Sequence, residues 1–175
     1  MRSESASSGR KRPPIAELWT RGIALAIDFV LCWLGSSIVS FGTVQFVIFA
    51  ILWFGLRVAL VARNQGQSPG HWAMSLKTLE QRTGRVPGLL ELSKREGISL
   101  LGAWGLLAAL VNPTALFLLA LLPLADLGFA VNDTDRRQAL HDRLGQTLVV
   151  NSRRGLSLDR KIRLWVAQVS TRVKQ

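Results

Sequence analysis

The chain is short of the side chains from which active sites are usually assembled. Among 175 residues there is one cysteine, there are two histidines, and there is no tyrosine. Cys32 alone excludes an intrachain disulfide and a cysteine-rich zinc site. Acids are scarce too, 11 against 22 lysines and arginines, which leaves a formal charge of +11. No nucleophile elbow, Walker loop or zinc-protease helix occurs, so nothing points to hydrolysis or phosphoryl transfer. We expect no enzyme, no cofactor and no bound metal.

What the chain has in quantity is apolar sequence in blocks: 49% of residues are hydrophobic and the mean hydropathy is +0.25. A charge of this sign would suit a nucleic-acid partner if it formed one patch. Here the basic residues flank the apolar blocks, so the expected partners are membrane lipids with anionic head groups and not nucleic acid.

Residues 1–14 are polar, Ser-rich and basic, with nothing to bury, and read as a disordered tail. The RKR cluster before an apolar run imitates a signal peptide, but that run leads straight into a second, which favours retention in the membrane. Residues 22–41 and 43–62 are each long enough to cross a hydrocarbon core, which takes about 20 helical residues. Gly42 and Thr43 leave room only for a tight turn, so the two form an antiparallel hairpin. A polar loop follows, with a strand expected over 75–80 and an interfacial helix over 89–95. Asn112-Pro113-Thr114 divides the next apolar block into spans at 97–111 and 114–131, although a single span there, three in all, is the competing reading. Four spans put every basic cluster on one side, as the positive-inside rule requires. Beyond them, 144–150 reads as a turn and a strand. Leu158, Ile162, Trp165, Val169 and Val173 mark a basic amphipathic helix within a C-terminal segment, 152–175.

The expected fold is therefore an all-α integral membrane protein of about four transmembrane helices. It has a short cytoplasmic β element, a C-terminal amphipathic helix, and both termini on the cytoplasmic side of the inner membrane. Four small spans make a meagre pore, so a homo-oligomer or a partner membrane protein is expected.

Charges inside the spans are the candidate site. Asp28 lies about 10 Å deeper than Arg21 on nearly the same helix face, too far for direct pairing. Counted from the cytoplasmic ends, Asp28, Arg57 and Asp126 reach similar depths and are expected to meet in one layer. Such a triad is either a structural clasp or a protonatable, cation-binding site; alternatively, Arg57 snorkels to the interface. His141-Asp142 places an imidazole beside a carboxylate just past the membrane, where it relays protons, or where Asp142 caps or pairs locally with Arg136, Arg137 or Arg143 and holds the C-terminal segment to the loop.

Arg21 with Ala24 and Ile27-Asp28, GQSPG at 66–70 before SLKTL, Arg95, and RRQALHDRLGQTLVV at 136–150 occur in an order that resembles the RDD family. The resemblance runs from about Pro14 to Asn151. It implies a small bacterial membrane module whose signature arginine and two aspartates correspond to Arg21, Asp28 and Asp142. It also implies signature residues on the cytoplasmic side and a role often suggested to be transport; the function we expect is transport of an ion or small ligand through Asp28, Arg57 and Asp126, with Arg21, Arg95, His141 and Asp142 at the cytoplasmic mouth. A non-transporting accessory or assembly module is the alternative. Where the family commonly carries Lys or Arg after SPG, this chain has His71, which would make an anion contact there pH-dependent.

Overall fold

The computed structural model describes residues 13–39, 42–112, 121–133 and 135–152. The N-terminal tail through residue 12 and the expected C-terminal amphipathic helix lie outside the described residues.

Helix α1, Leu18–Ser36, follows an extended entry in which Ile15 bridges Val150 and Ala16 donates its N–H to the Val149 carbonyl. It begins four residues before the expected span and ends where the Ser36 and Ser37 hydroxyls bond back to the Trp33 carbonyl. Serine competes with the backbone in this way, which suits a helix end. Ala24, Asp28, Cys32 and Ser36 are its buried residues. Spaced by four, they form one stripe, which Asp28 shares with apolar neighbours.

The second helix uses the same spacing: Gln45, Phe49 and Trp53 are buried in α2, Thr43–Phe54, and Arg57 follows on the same stripe. Here the helix widens. Gly55–Ala59 is a π-helical turn with Arg57 at its centre, after which α3, Leu60–Arg63, completes the rod. Phe49 stacks on Trp53, and the Arg57 guanidinium lies 5.1 Å from the Trp53 ring centroid.

A short α4, Pro69–Ala73, leads into β1, Leu76–Glu80, which pairs antiparallel with β2, Thr147–Asn151, in the register Leu76 to Asn151 and Glu80 to Thr147. The small β element expected from the two short strand segments is thus present. Helix α5, Leu89–Val111, is continuous, which corrects the division into an interfacial helix and a separate span. Arg95 and Glu96, which made the first part look interfacial, are both buried against charges from other elements, so the helix has no reason to break there. Helix α6 covers Leu121–Asn132 and α7 covers Leu140–Leu144.

Cys32, Phe49, Trp53, Leu100, Ala103 and Leu107 form the core shared by α1, α2 and α5. A second cluster, Ala16, Ala24, Met74, Leu76 and Val149, seats the β element on α1. The outward faces remain apolar: Leu34 is 57% and Ile51 66% exposed. Contiguous exposure of this kind calls for a lipid or protein covering. Among the described residues two helices, Leu18–Ser36 and Thr43–Arg63, are long and apolar enough to cross a membrane.

Candidate functional site

The GQSPG loop is built to reach Asp28. Ser68 caps α4 by accepting the His71 backbone N–H, and Pro69 takes the first helical position, where it forfeits no intrahelical hydrogen bond. This aims the Gly70 N–H at Asp28 Oδ1, 2.7 Å away. A Cβ on Gly70 would collide with the Ala24 carbonyl oxygen, so only glycine lets the loop dock this closely. Asp28 Oδ2 accepts from the Ser68 hydroxyl at 2.6 Å and from Arg57 Nη1 at 2.7 Å.

Arg57 faces two acids. Its Nε donates to Glu96 Oε2 at 2.6 Å and its Nη2 to Glu96 Oε1 at 3.2 Å, a fork geometry that a lysine does not offer. The chain of charge continues through Arg95, whose Nε is 3.4 Å from Glu96 Oε1 and 3.2 Å from Asp142 Oδ1, and whose Nη1 donates to the Thr78 hydroxyl. Asp142 is held in turn by Arg21, which also donates to the Arg137 carbonyl, and its Oδ1 accepts from Thr147 at 3.3 Å. Arg21, Asp142, Arg95, Glu96, Arg57 and Asp28 therefore alternate in sign around a loop that leaves α1 and returns to it. Its formal charges cancel. Of these side chains Arg21 is the most exposed, at 11%.

Asp126 is not part of this ring, which corrects the expected triad. Its carboxylate lies 2.6 Å from His141 Nδ1 and accepts the His141 backbone N–H at 3.0 Å. The third place beside Arg57 belongs to Glu96. Similar depth along a helix does not fix which way a side chain turns, and α6 turns Asp126 toward α7. For Asp142 the capping reading holds and the local pairing is corrected: its Oδ2 accepts the Ala139 N–H at 3.4 Å at the start of α7, but its arginine partners are the sequence-distant Arg21 and Arg95, while Arg143 pairs with Asp133. Arg57 does not snorkel to the surface, being 3% exposed.

Burial opposes ionisation of Asp142, but His141, Arg21 and Arg95 outweigh it and hold the carboxyl well below the usual range. His71 goes the other way: burial first, then Arg57, Arg95 and Arg21, push its pKa well below 6.5. At neutral pH it is the uncharged imidazole. Its tautomer follows from the hydrogen bonds, because the single Ser68 proton is directed to Asp28 and the Ser68 oxygen must accept from Nδ1–H of His71 at 3.0 Å.

Arg21, Arg57, Arg95, His71, His141 and Asp126 line one cavity of about 170 Å³. The three acids of the ring lie behind this wall. A second cavity of about 250 Å³, lined mostly by apolar side chains of α1, α5 and α6, adjoins it and shares Gly22, Leu25, Pro123 and Asp126. Among the described residues no cluster of three or more His, Cys, Asp or Glu offers a metal site.

Glu96 and Ser68 are the members of the site that sequence reasoning missed. Ser68 sat inside the recognised GQSPG element, but Glu96, at the edge of an apolar block, resembled an interfacial charge. A family model described as "RDD family" matches residues 15–146. No curated protein and no solved structure matches the chain.

Proposed function

The chain belongs to the RDD family, and from that premise we propose a multi-pass membrane protein that handles an ion or small ligand at the cavity beside the charge ring. In this reading α5 and α6 contribute two further spans beside Leu18–Ser36 and Thr43–Arg63. Four spans leave the basic segments, the β element and both termini on the cytoplasmic side of the inner membrane. Transport is the activity this reading assigns.

The observation that carries it is Asp126. Its carboxylate is 22% exposed and lines the cavity with His141, whereas the ring acids are buried and fully engaged by arginines and hydroxyls. An ionisable group at membrane depth ordinarily has a functional reason to be there. The ring then serves as the fixed frame and the Asp126 side as the working surface.

Saturation of the ring favours a second reading, an accessory or assembly module whose buried charges set helix register and whose basic flanks hold lipid and partner proteins. Flux measurements in proteoliposomes separate the two, with a pH gradient and Na⁺ or K⁺ supplied. Transport predicts that Asp126→Asn loses flux at unchanged thermal stability, while Asp28→Asn loses both. Background signal from well-folded wild type would overturn transport by the isolated protein and favour the module.

A further inference from the structure

The two adjoining cavities differ sharply in chemistry. The smaller is lined by three guanidinium groups, while the acids Asp28, Glu96 and Asp142 that pair with them do not line it, so the ring is neutral as a whole and turns its cationic side to the cavity. The His71 pKa, depressed first by burial, is lowered further by Arg57, Arg95 and Arg21 against the opposing charge of Asp142. Asp126 is the acid on the wall, and both of its oxygens are within 2.7 Å of His141 Nδ1. The larger cavity is apolar and runs from Leu25 past Phe29 and Trp53 to Ala103 and Leu106. Leu25 and Leu106 are 40% and 46% exposed, so the cleft begins on the apolar outer face of the helices.

We propose that these cavities form one binding site for an anionic membrane amphiphile, its acidic head against Arg21, Arg57 and Arg95 and one acyl chain in the cleft between α1, α5 and α6. This inference rests on the cavity being the ligand site and names the class of ligand. A small inorganic ion would fill only the polar part and make no use of the apolar cleft, whereas an uncharged lipid would set no charge against the cationic side of the ring. The chain's own terminal segments are poor occupants, because residues 1–12 and 153–175 are themselves rich in Arg and Lys. Entry from the side, out of the lipid, also accounts for a polar cavity that opens into an apolar one.

Gly102 provides the test. A Cβ there would sit 3.6 Å from Pro123 Cδ, an ordinary contact, so Gly102→Ala should fold normally while Gly102→Leu projects its extra atoms into the cleft. The full chain in nanodiscs is irradiated with three diazirine probes of equal chain length: a fatty acid, a phosphatidic acid and the corresponding neutral alcohol. Labelled peptides are mapped, and melting temperatures are recorded for each variant.

The proposal expects labelling within residues 22–29 and 98–106 by an acidic probe, at least about tenfold above the alcohol. Gly102→Leu should lose about tenfold, the equivalent of two methylene contacts, with Gly102→Ala unaffected and both variants melting near wild type. Whichever acidic probe labels more strongly identifies the source as free acid or phospholipid. Equal labelling by the alcohol, or labelling indifferent to Gly102→Leu in a folded protein, overturns the acidic-amphiphile assignment. If no probe labels the cleft but sulfate or Na⁺ raises the melting temperature and Asp126→Asn abolishes that rise, the amphiphile falls while the small-ligand reading stands. Failure of all of these removes both.

Discussion

Arg21 and Asp28 stand two turns apart on α1 and do not touch; four other charges, Asp142, Arg95, Glu96 and Arg57, join them. The same helix thus supplies both ends of a closed circuit that passes through α7, α5 and the π turn. Because the circuit is neutral and buried, its parts are worth most together: breaking a buried pair strands a charge, while replacing it as a unit does not.

The first prediction follows from that asymmetry. Arg57→Met should destabilise the protein by about 3 to 5 kcal/mol, since it leaves Asp28 and Glu96 facing each other without their shared counter-charge. Adding Asp28→Asn and Glu96→Gln to it should recover part of the loss. Chemical or thermal unfolding in one detergent, with Arg57→Met, the Asp28→Asn/Glu96→Gln double and the triple variant side by side, measures this. Purely additive losses would contradict the circuit.

Gly70→Ala should be among the most damaging single-methyl additions in the chain, by a few kcal/mol, because the Ala24 carbonyl cannot retreat without breaking α1. Gly102→Ala adds the same methyl in ordinary contact with Pro123 and should be near neutral. Melting temperatures of the pair provide an internal comparison. Loss of the Gly70 N–H contact to Asp28 should accompany the first substitution alone.

Acid should weaken the fold in two separable steps. The unfolded chain protonates His71 near its ordinary 6.5 while the folded chain resists, so the contribution of the neutral imidazole is complete above that pH and declines as pH falls. Its limiting slope is about 1.4 kcal/mol per pH unit. Asp142, also depressed, contributes above about pH 4 and is lost only below it. His71→Gln should flatten the stability curve between about pH 6.5 and 5 and leave the lower step in place. An unchanged slope would show that His71 is already protonated in the fold.

The tautomer of His71 is a prediction of its own. Nitrogen NMR at neutral pH should find the proton on Nδ1, with Nε2 bare, and Ser68→Ala should release that preference. Losing the cap and the bond to Asp28 together, Ser68→Ala should also cost on the order of 1 to 2 kcal/mol.

How far the sequence alone reached depended on contrast. Asp28 and Arg57 stood out because each interrupts an apolar run, and their contact was anticipated from depth. Glu96 has equal weight in the structure but follows Ser93, Lys94 and Arg95, where another charge draws no notice. Asp126 was misassigned because a depth count carries no azimuth: its partner was fixed by the return of α7, which no local pattern encodes. The β element was legible from two short segments set beside turn signals, LKTLE and TLVVN, and its pairing followed from there being two strands to satisfy. That one helix would run unbroken through Leu89–Val111 was hidden by its charged first half, whose burial depends wholly on tertiary partners.

The π turn at Gly55–Ala59 also bears on descent. A π turn holds one residue more than the α-helical count, usually the trace of a single insertion. Among related chains, a one-residue difference in the length of this helix should therefore fall between positions 55 and 59. Chains lacking the extra residue should also lack an arginine at its centre, because a regular α-helical turn would swing that side chain off the bearing on which it meets Asp28 and Glu96 at once. Aligning relatives by helix length around this point would sort those that keep the charge circuit from those that solved the same packing problem without it.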